Sequence, residues 1–81
     1  MVKIENMKEA TARIEAALYS AGRPLRIEDI IRASGTESKI KTLDLLNEII
    51  KKTKNAFIAL EIAILPDGSY VMQLKPEYSS T

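Results

Sequence analysis

Residues Ile14 to Ile31, IEAALYSAGRPLRIEDII, constrain the fold of this chain more than any other stretch. Apolar residues at helical spacing run into Gly22-Arg23-Pro24-Leu25, and helical spacing resumes at Ile27. Glycine suits a helix C-terminus and proline cannot continue one, so the first helix stops there. A second helix that starts two residues after Leu25 must cross the first at an angle. This is the opening of a helix-turn-helix.

The first helix is expected to start near Asn6, which can cap it, with Glu9 in the capping-box position. Met7, Ala10, Ile14, Ala17, Leu18 and Ala21 form its apolar stripe, and Glu9 and Arg13 are spaced to pair on the wet side. The second helix covers about Ile27 to Ser34, with Glu28 and Asp29 in its first turn and Gly35 as its stop. Its Ile27, Ile30 and Ile31 face inward. Thr36 is the expected cap of a third helix, about Glu37 to Lys54. Ile40, Leu43, Leu45, Leu46, Ile49 and Ile50 span a wide arc of that helix, with Leu45 and Ile49 on its exposed edge.

The period then changes from helical to alternating. Phe57 to Leu65 and Ser69 to Lys75 flank Pro66-Asp67-Gly68, which fits a type I turn with a left-handed glycine bulge. That three-residue loop pairs Leu65 with Ser69 and Ile64 with Tyr70. One face then carries Ile58, Leu60, Ile62, Ile64, Tyr70, Met72 and Leu74. The other carries Phe57, Ala59, Glu61, Ala63, Leu65, Val71, Gln73 and Lys75. A two-residue turn would slip the register and place Gln73 and Lys75 among the isoleucines. Three helices and a two-stranded antiparallel hairpin form an α+β winged helix over residues 1–78, with 79–81 a frayed or truncated end.

Cysteine and histidine are both absent, so disulfides, thiolate or imidazole metal sites, cysteine nucleophiles and histidine bases are excluded. The carboxylates scatter over helix surfaces and form no tuned pair. A non-enzymatic protein without cofactor, metal or small-molecule ligand is expected. No apolar run approaches the roughly 18 residues of a membrane helix, and MVKIENMKEA lacks a signal-peptide pattern, which points to the cytoplasm.

IEAALYSAGRPLRIEDII, the third helix and DGSYVMQLKPEY together resemble the N-terminal winged-helix domain of segregation and condensation protein B. Ala21, Gly22, Pro24, Leu25, Glu28 and Asp29 match the first part of that pattern, and Gly68, Tyr70, Leu74, Pro76, Glu77 and Tyr78 the second. The resemblance covers roughly Ala12 to Tyr78. Arg26 departs from it, standing where the family tends to place a serine or similar cap. Length departs too, because the family carries two tandem winged helices. The resemblance implies an accessory subunit that homodimerises through this domain and binds the kleisin subunit, and through it the SMC ATPase, at the nucleoid. Much of the kleisin contact belongs to the family's second domain.

A helix-turn-helix also invites DNA binding, and a winged-helix transcription regulator is the alternative reading. Lys41, Asp44, Glu48, Lys51 and Lys52 would then face the major groove, so two carboxylates would meet a polyanion. Glu48 and Lys52 are spaced instead for an i,i+4 pair. With a net charge of +1, only a weak nucleic-acid contact is assigned, to Lys39, Lys41, Lys51, Lys52 and Lys54. The hairpin's second face argues for protein contacts. Phe57, Ala59, Ala63, Leu65 and Val71 are apolar where a wet face should be polar, and Glu61 and Gln73 lie across the strands from each other. These seven residues are the expected interface. Tyr19 and Tyr78 read as packing residues.

Overall fold

The computed structural model describes residues 6–78, with side chains from Met7 onward. Helix α1 spans Asn6–Ala21, α2 Ile27–Ser34 and α3 Lys39–Ala56; strands β1 (Leu60–Ile64) and β2 (Tyr70–Leu74) follow, then a 3₁₀ turn at Pro76–Tyr78. This is the α+β winged-helix order. The capping role expected of the Asn6 side chain and the expected end at 79–81 lie outside the described residues.

Ile14, Leu18, Leu25, Ile30, Leu46, Ile49 and Ile62 form one buried cluster drawn from the three helices, the first turn and β1. Ala17, Ala21, Ile27, Leu45, Ile50, Tyr70 and Met72 pack against it. On α1 the buried row is Ala10, Ile14 and Leu18, while Met7 at the open end of the expected stripe is exposed. Tyr19 does not pack beside Leu18. One residue further on, it turns onto the wet face and is 79% exposed.

Helix α2 has the expected bounds. The Arg26 side chain makes no cap; the Asp29 carboxylate instead accepts the Arg26 N–H at 3.3 Å and the Arg32 guanidinium at 2.7 Å. Gly35 ends the helix at φ +79°, and its N–H reaches the Ile31 carbonyl. Only a residue tolerant of the left-handed region fits there without strain.

Helix α3 begins later than expected, and its cap is Ser38, whose hydroxyl accepts the Lys41 N–H at 3.2 Å. Thr36 serves the loop instead, taking the Ser38 N–H at 3.1 Å. The helix also runs two residues beyond Lys54, to Ala56. Its buried row is Thr42, Leu46, Ile49 and Thr53, at i, i+4, i+7 and i+11. Two threonines therefore define the inward direction, which the apolar arc alone does not show. Ile49 is fully buried within that row, not on an exposed edge. Ile40, about 200° around the helix from Thr42 at ~100° per residue, is 73% exposed.

The hairpin has the expected register: Leu60↔Leu74, Glu61↔Gln73, Ile62↔Met72, Ala63↔Val71 and Ile64↔Tyr70. The Leu65 N–H donates to the Ser69 carbonyl and the Gly68 N–H to the Leu65 carbonyl, both at 2.8 Å, with Gly68 at φ +87°. One pairing has no counterpart in the sequence pattern. Leu25, in the turn between α1 and α2, forms an antiparallel bridge with Tyr70 and ties the turn to the hairpin.

Candidate functional site

The hairpin presents two surfaces, set by which residues the helices can cover. Of the row expected to face inward, Ile62 is buried and Leu60, Tyr70 and Met72 are partly covered. Its ends overhang. Ile58 is 77% exposed and Ile64 60% exposed, and Leu74 is nearly half exposed. Ile58 lies where the chain leaves α3, ahead of β1. At the other end Tyr70, rather than its partner Ile64, makes the core contact.

On the opposite face Ala59, Glu61, Ala63, Leu65 and Val71 are half-buried, and Gln73 is exposed. Phe57 does not lie on a strand. It is the C-terminal cap residue of α3, and half of its surface is open. The amide of Gln73 donates to Glu61 Oε2 at 3.0 Å, so the cross-strand pair expected from the register is formed. Below it, the Lys75 N–H extends the ladder to the Ala59 carbonyl, and Lys75 Nζ donates to the Phe57 carbonyl at 3.3 Å. Phe57, Ile58, Leu74 and Tyr78, each exposed, lie along the chain at this end of the hairpin, an exposure that strand periodicity cannot supply.

Lys39, Lys41, Lys51, Lys52 and Lys54 are all exposed on α3. Helical geometry sets Asp44, Glu48 and Lys51 on the side away from the Thr42–Thr53 row, with Lys41, Lys52 and Lys54 on its flanks and Lys39 nearer the row. The carboxylates thus sit among the lysines. Among the described residues the ion pairs are Glu9–Arg13 and Asp29–Arg32; the spacing of Glu48 and Lys52 is not used.

At the wing tip, Arg26, Ile27 and Glu28 at the start of α2 face Asp67 and Gly68 across an open cleft. The hydroxyl and main-chain N–H of Ser69 both donate to the Asp67 carboxylate, which holds its pKa below the ordinary value. The nearby Arg26 cation acts in the same direction. Both interactions favour the ionised form. Among the described residues no group of His, Cys, Asp or Glu is arranged to hold a metal ion, and no helix is long and apolar enough to cross a membrane.

With this geometry in view, comparison with known proteins is decisive for the family. The model for "Segregation and condensation complex subunit ScpB" matches residues 12–81, nearly the whole chain. The chain belongs to this family. No curated protein matches it. Among solved structures, the fold is similar to the crystal structure of a conserved hypothetical protein from Chlorobium tepidum. The TM-score is 0.74 at 14% identity, over 95% of this chain and 48% of that one. The likeness shows a shared fold, and the chain spans about half the length of that relative. Membership of the ScpB family makes a subunit of a segregation and condensation complex the frame in which these surfaces are read.

Proposed function

We propose that this chain is a non-enzymatic accessory module of an SMC–kleisin chromosome condensation and segregation complex. It works by protein contacts: it homodimerises and engages the kleisin subunit, and through it the SMC ATPase. Its place on this reading is the cytoplasm, at the nucleoid. The observation that carries the reading is the apolar surface left open around the hairpin, at Phe57, Ile58, Ile64, Leu74 and Tyr78. In a domain this small, several large exposed apolar side chains on one substructure mark a contact surface. The face of Ala59, Glu61, Ala63, Leu65, Val71 and Gln73 continues it across the sheet.

The test is the solution mass together with capture of the kleisin partner. A dimer that Leu65→Lys or Val71→Glu converts to a folded monomer supports the reading. A monomer at high concentration that binds a defined operator would sink it. The runner-up, a winged-helix transcription regulator, draws on the exposure of Lys39, Lys41, Lys51, Lys52 and Lys54 on the third helix. Duplex affinity that falls steeply with salt would favour it.

A further inference from the structure

We infer that β1 is the seam of a two-fold dimer, pairing edge to edge with β1 of a second copy in a four-stranded sheet. The inference rests on the dimerisation reading above and specifies the element that performs it.

The register determines which main-chain groups are free. The hydrogen bonds of Leu65 with Ser69 and of Ala59 with Lys75 show that odd-numbered residues of this strand turn their N–H and C=O groups toward β2. The groups of Leu60, Ile62 and Ile64 therefore point to the far edge. Among the described residues no main-chain hydrogen bond meets them there. The far edge of β2, by contrast, is engaged at Tyr70 by Leu25. Natural edge strands are usually protected by proline, by charged side chains (lysine above all) or by a bulge. Leu60-Glu61-Ile62-Ala63-Ile64 has no proline, lysine or bulge, and its one charge, Glu61, is bonded to Gln73 on the neighbouring strand.

Hydrogen-bond count and charge select one register. Outward-facing residues must oppose outward-facing residues for the bonds to form. Centring an antiparallel pair on Ile62 opposes Ile62 with itself and Leu60 with Ile64, using all three available positions. It sets Glu61 opposite Ala63. Sliding the pair so that Glu61 meets Glu61 engages only two of those positions and places like charges face to face, which is unfavourable. Sliding it the other way to centre on Ala63 also leaves one position unused. Centring on Ile62 further covers Ile64, 60% exposed in the single chain, with Leu60 of the second copy. A two-fold axis closes this arrangement, so it stops at the dimer.

The test uses the whole chain. Sedimentation equilibrium is expected to give a dimer, with the amides of Leu60, Ile62 and Ile64 exchanging at least tenfold more slowly as concentration rises. Ile64→Pro removes one outward N–H and leaves the β1–β2 ladder intact, because edge strands tolerate proline at such positions. It should give a folded monomer. Should it fail to fold, a mixture of Glu61→Cys and Ala63→Cys chains reads the same seam, since the natural chain has no cysteine. These positions form a non-hydrogen-bonded pair at ~4.5 Å between Cα atoms, close enough for a disulfide. The mixture should cross-link on oxidation, and neither variant alone should. A dimer whose outward amides are unprotected, or one in which the mixture fails to cross-link, overturns the seam but leaves dimerisation standing. A wild-type monomer at all concentrations overturns both.

Discussion

Leu25 and Tyr70 exchange both main-chain hydrogen bonds, each N–H donating to the other's carbonyl at 2.8 Å. Leu25 thus acts as a one-residue third strand, and its side chain enters the core beside Ile14 and Ile62. The turn that ends α1 is therefore the attachment point of the hairpin, and the angle between the first two helices determines where the hairpin sits.

Leu25→Ala keeps the backbone bridge and removes the side chain beneath it. Truncating a buried leucine costs about 2–5 kcal/mol, a large fraction of the stability of a small domain. Urea unfolding should show a matching fall in midpoint. A loss below about 1 kcal/mol would mean that the hairpin is held by its backbone bonds alone.

The joint between α2 and α3 is polar inside. Ser34 and Thr42 are buried, and their hydroxyls lie 3.3 Å apart. Ser34 Oγ donates to the Ile31 carbonyl at 2.7 Å and accepts the Thr36 N–H at 3.2 Å. Ser34→Ala leaves that N–H without its acceptor, at a cost of about 1–3 kcal/mol. Thr42→Val removes a hydroxyl whose neighbours keep other partners, so its cost should be clearly smaller. Equal losses for the two variants in thermal denaturation would refute this ordering.

How far the fold is legible in the residues differs element by element. The hairpin register follows from Pro66-Asp67-Gly68, because a left-handed glycine after a type I turn permits one pairing and the alternating pattern rejects its neighbour. The bounds of α2 follow from Pro24 and Gly35. The direction of α3 does not, since its inward row includes Thr42 and Thr53, which composition reads as polar. The single bridge at Leu25 is too short to leave a periodic trace. The candidate site is less legible still. Exposure of Ile58 and Ile64 depends on where α3 ends and how far the helices reach along the sheet, which are tertiary facts.

Asp67 gives a pH-dependent contribution of determined sign. The Ser69 hydroxyl, the Ser69 N–H and Arg26 depress its pKa below the ordinary 3.8. A depressed folded-state value means stabilisation that is present above the unfolded pKa and lost as pH falls through the folded one. NMR titration of the Asp67 carboxyl should give a midpoint below 3.8, and Ser69→Ala should move it upward. An unchanged midpoint in Ser69→Ala would assign the depression to the main-chain N–H of residue 69 and to Arg26 instead of the hydroxyl.

Gly35 and Gly68 both lie in the left-handed region, at φ +79° and +87°, but in different surroundings. A Cβ at Gly35 would fall 2.9 Å from Arg13 Nη1, whereas one at Gly68 would meet nothing within 4 Å. Gly68→Ala should therefore cost only the conformational strain, about 1 kcal/mol. Gly35→Ala adds a clash, but with the tip of a long side chain held, among the described residues, only by its exposed ion pair with Glu9. The two losses should agree to within about 0.5 kcal/mol, and Arg13→Ala should close any remaining gap. A Gly35→Ala loss several times larger, not relieved by Arg13→Ala, would show that Arg13 is held rigidly.

The carboxylates on α3 make a prediction that separates protein contacts from DNA reading. Asp44 and Glu48 lie with Lys51 on the outward side of the helix, flanked by Lys41 and Lys52, so a duplex approaching that side meets both signs. Reversing both with Asp44→Lys and Glu48→Lys changes the charge by two units at each position, taking the net charge from +1 to +5. If these two groups are what weakens contact with DNA, the double variant should bind duplexes of any sequence, with affinity falling steeply as salt rises. Each added phosphate contact should steepen the log–log salt slope by about 0.9. The wild-type chain should show a shallow slope and no sequence preference. A steep wild-type slope with preference for one operator would instead assign the helix to DNA recognition.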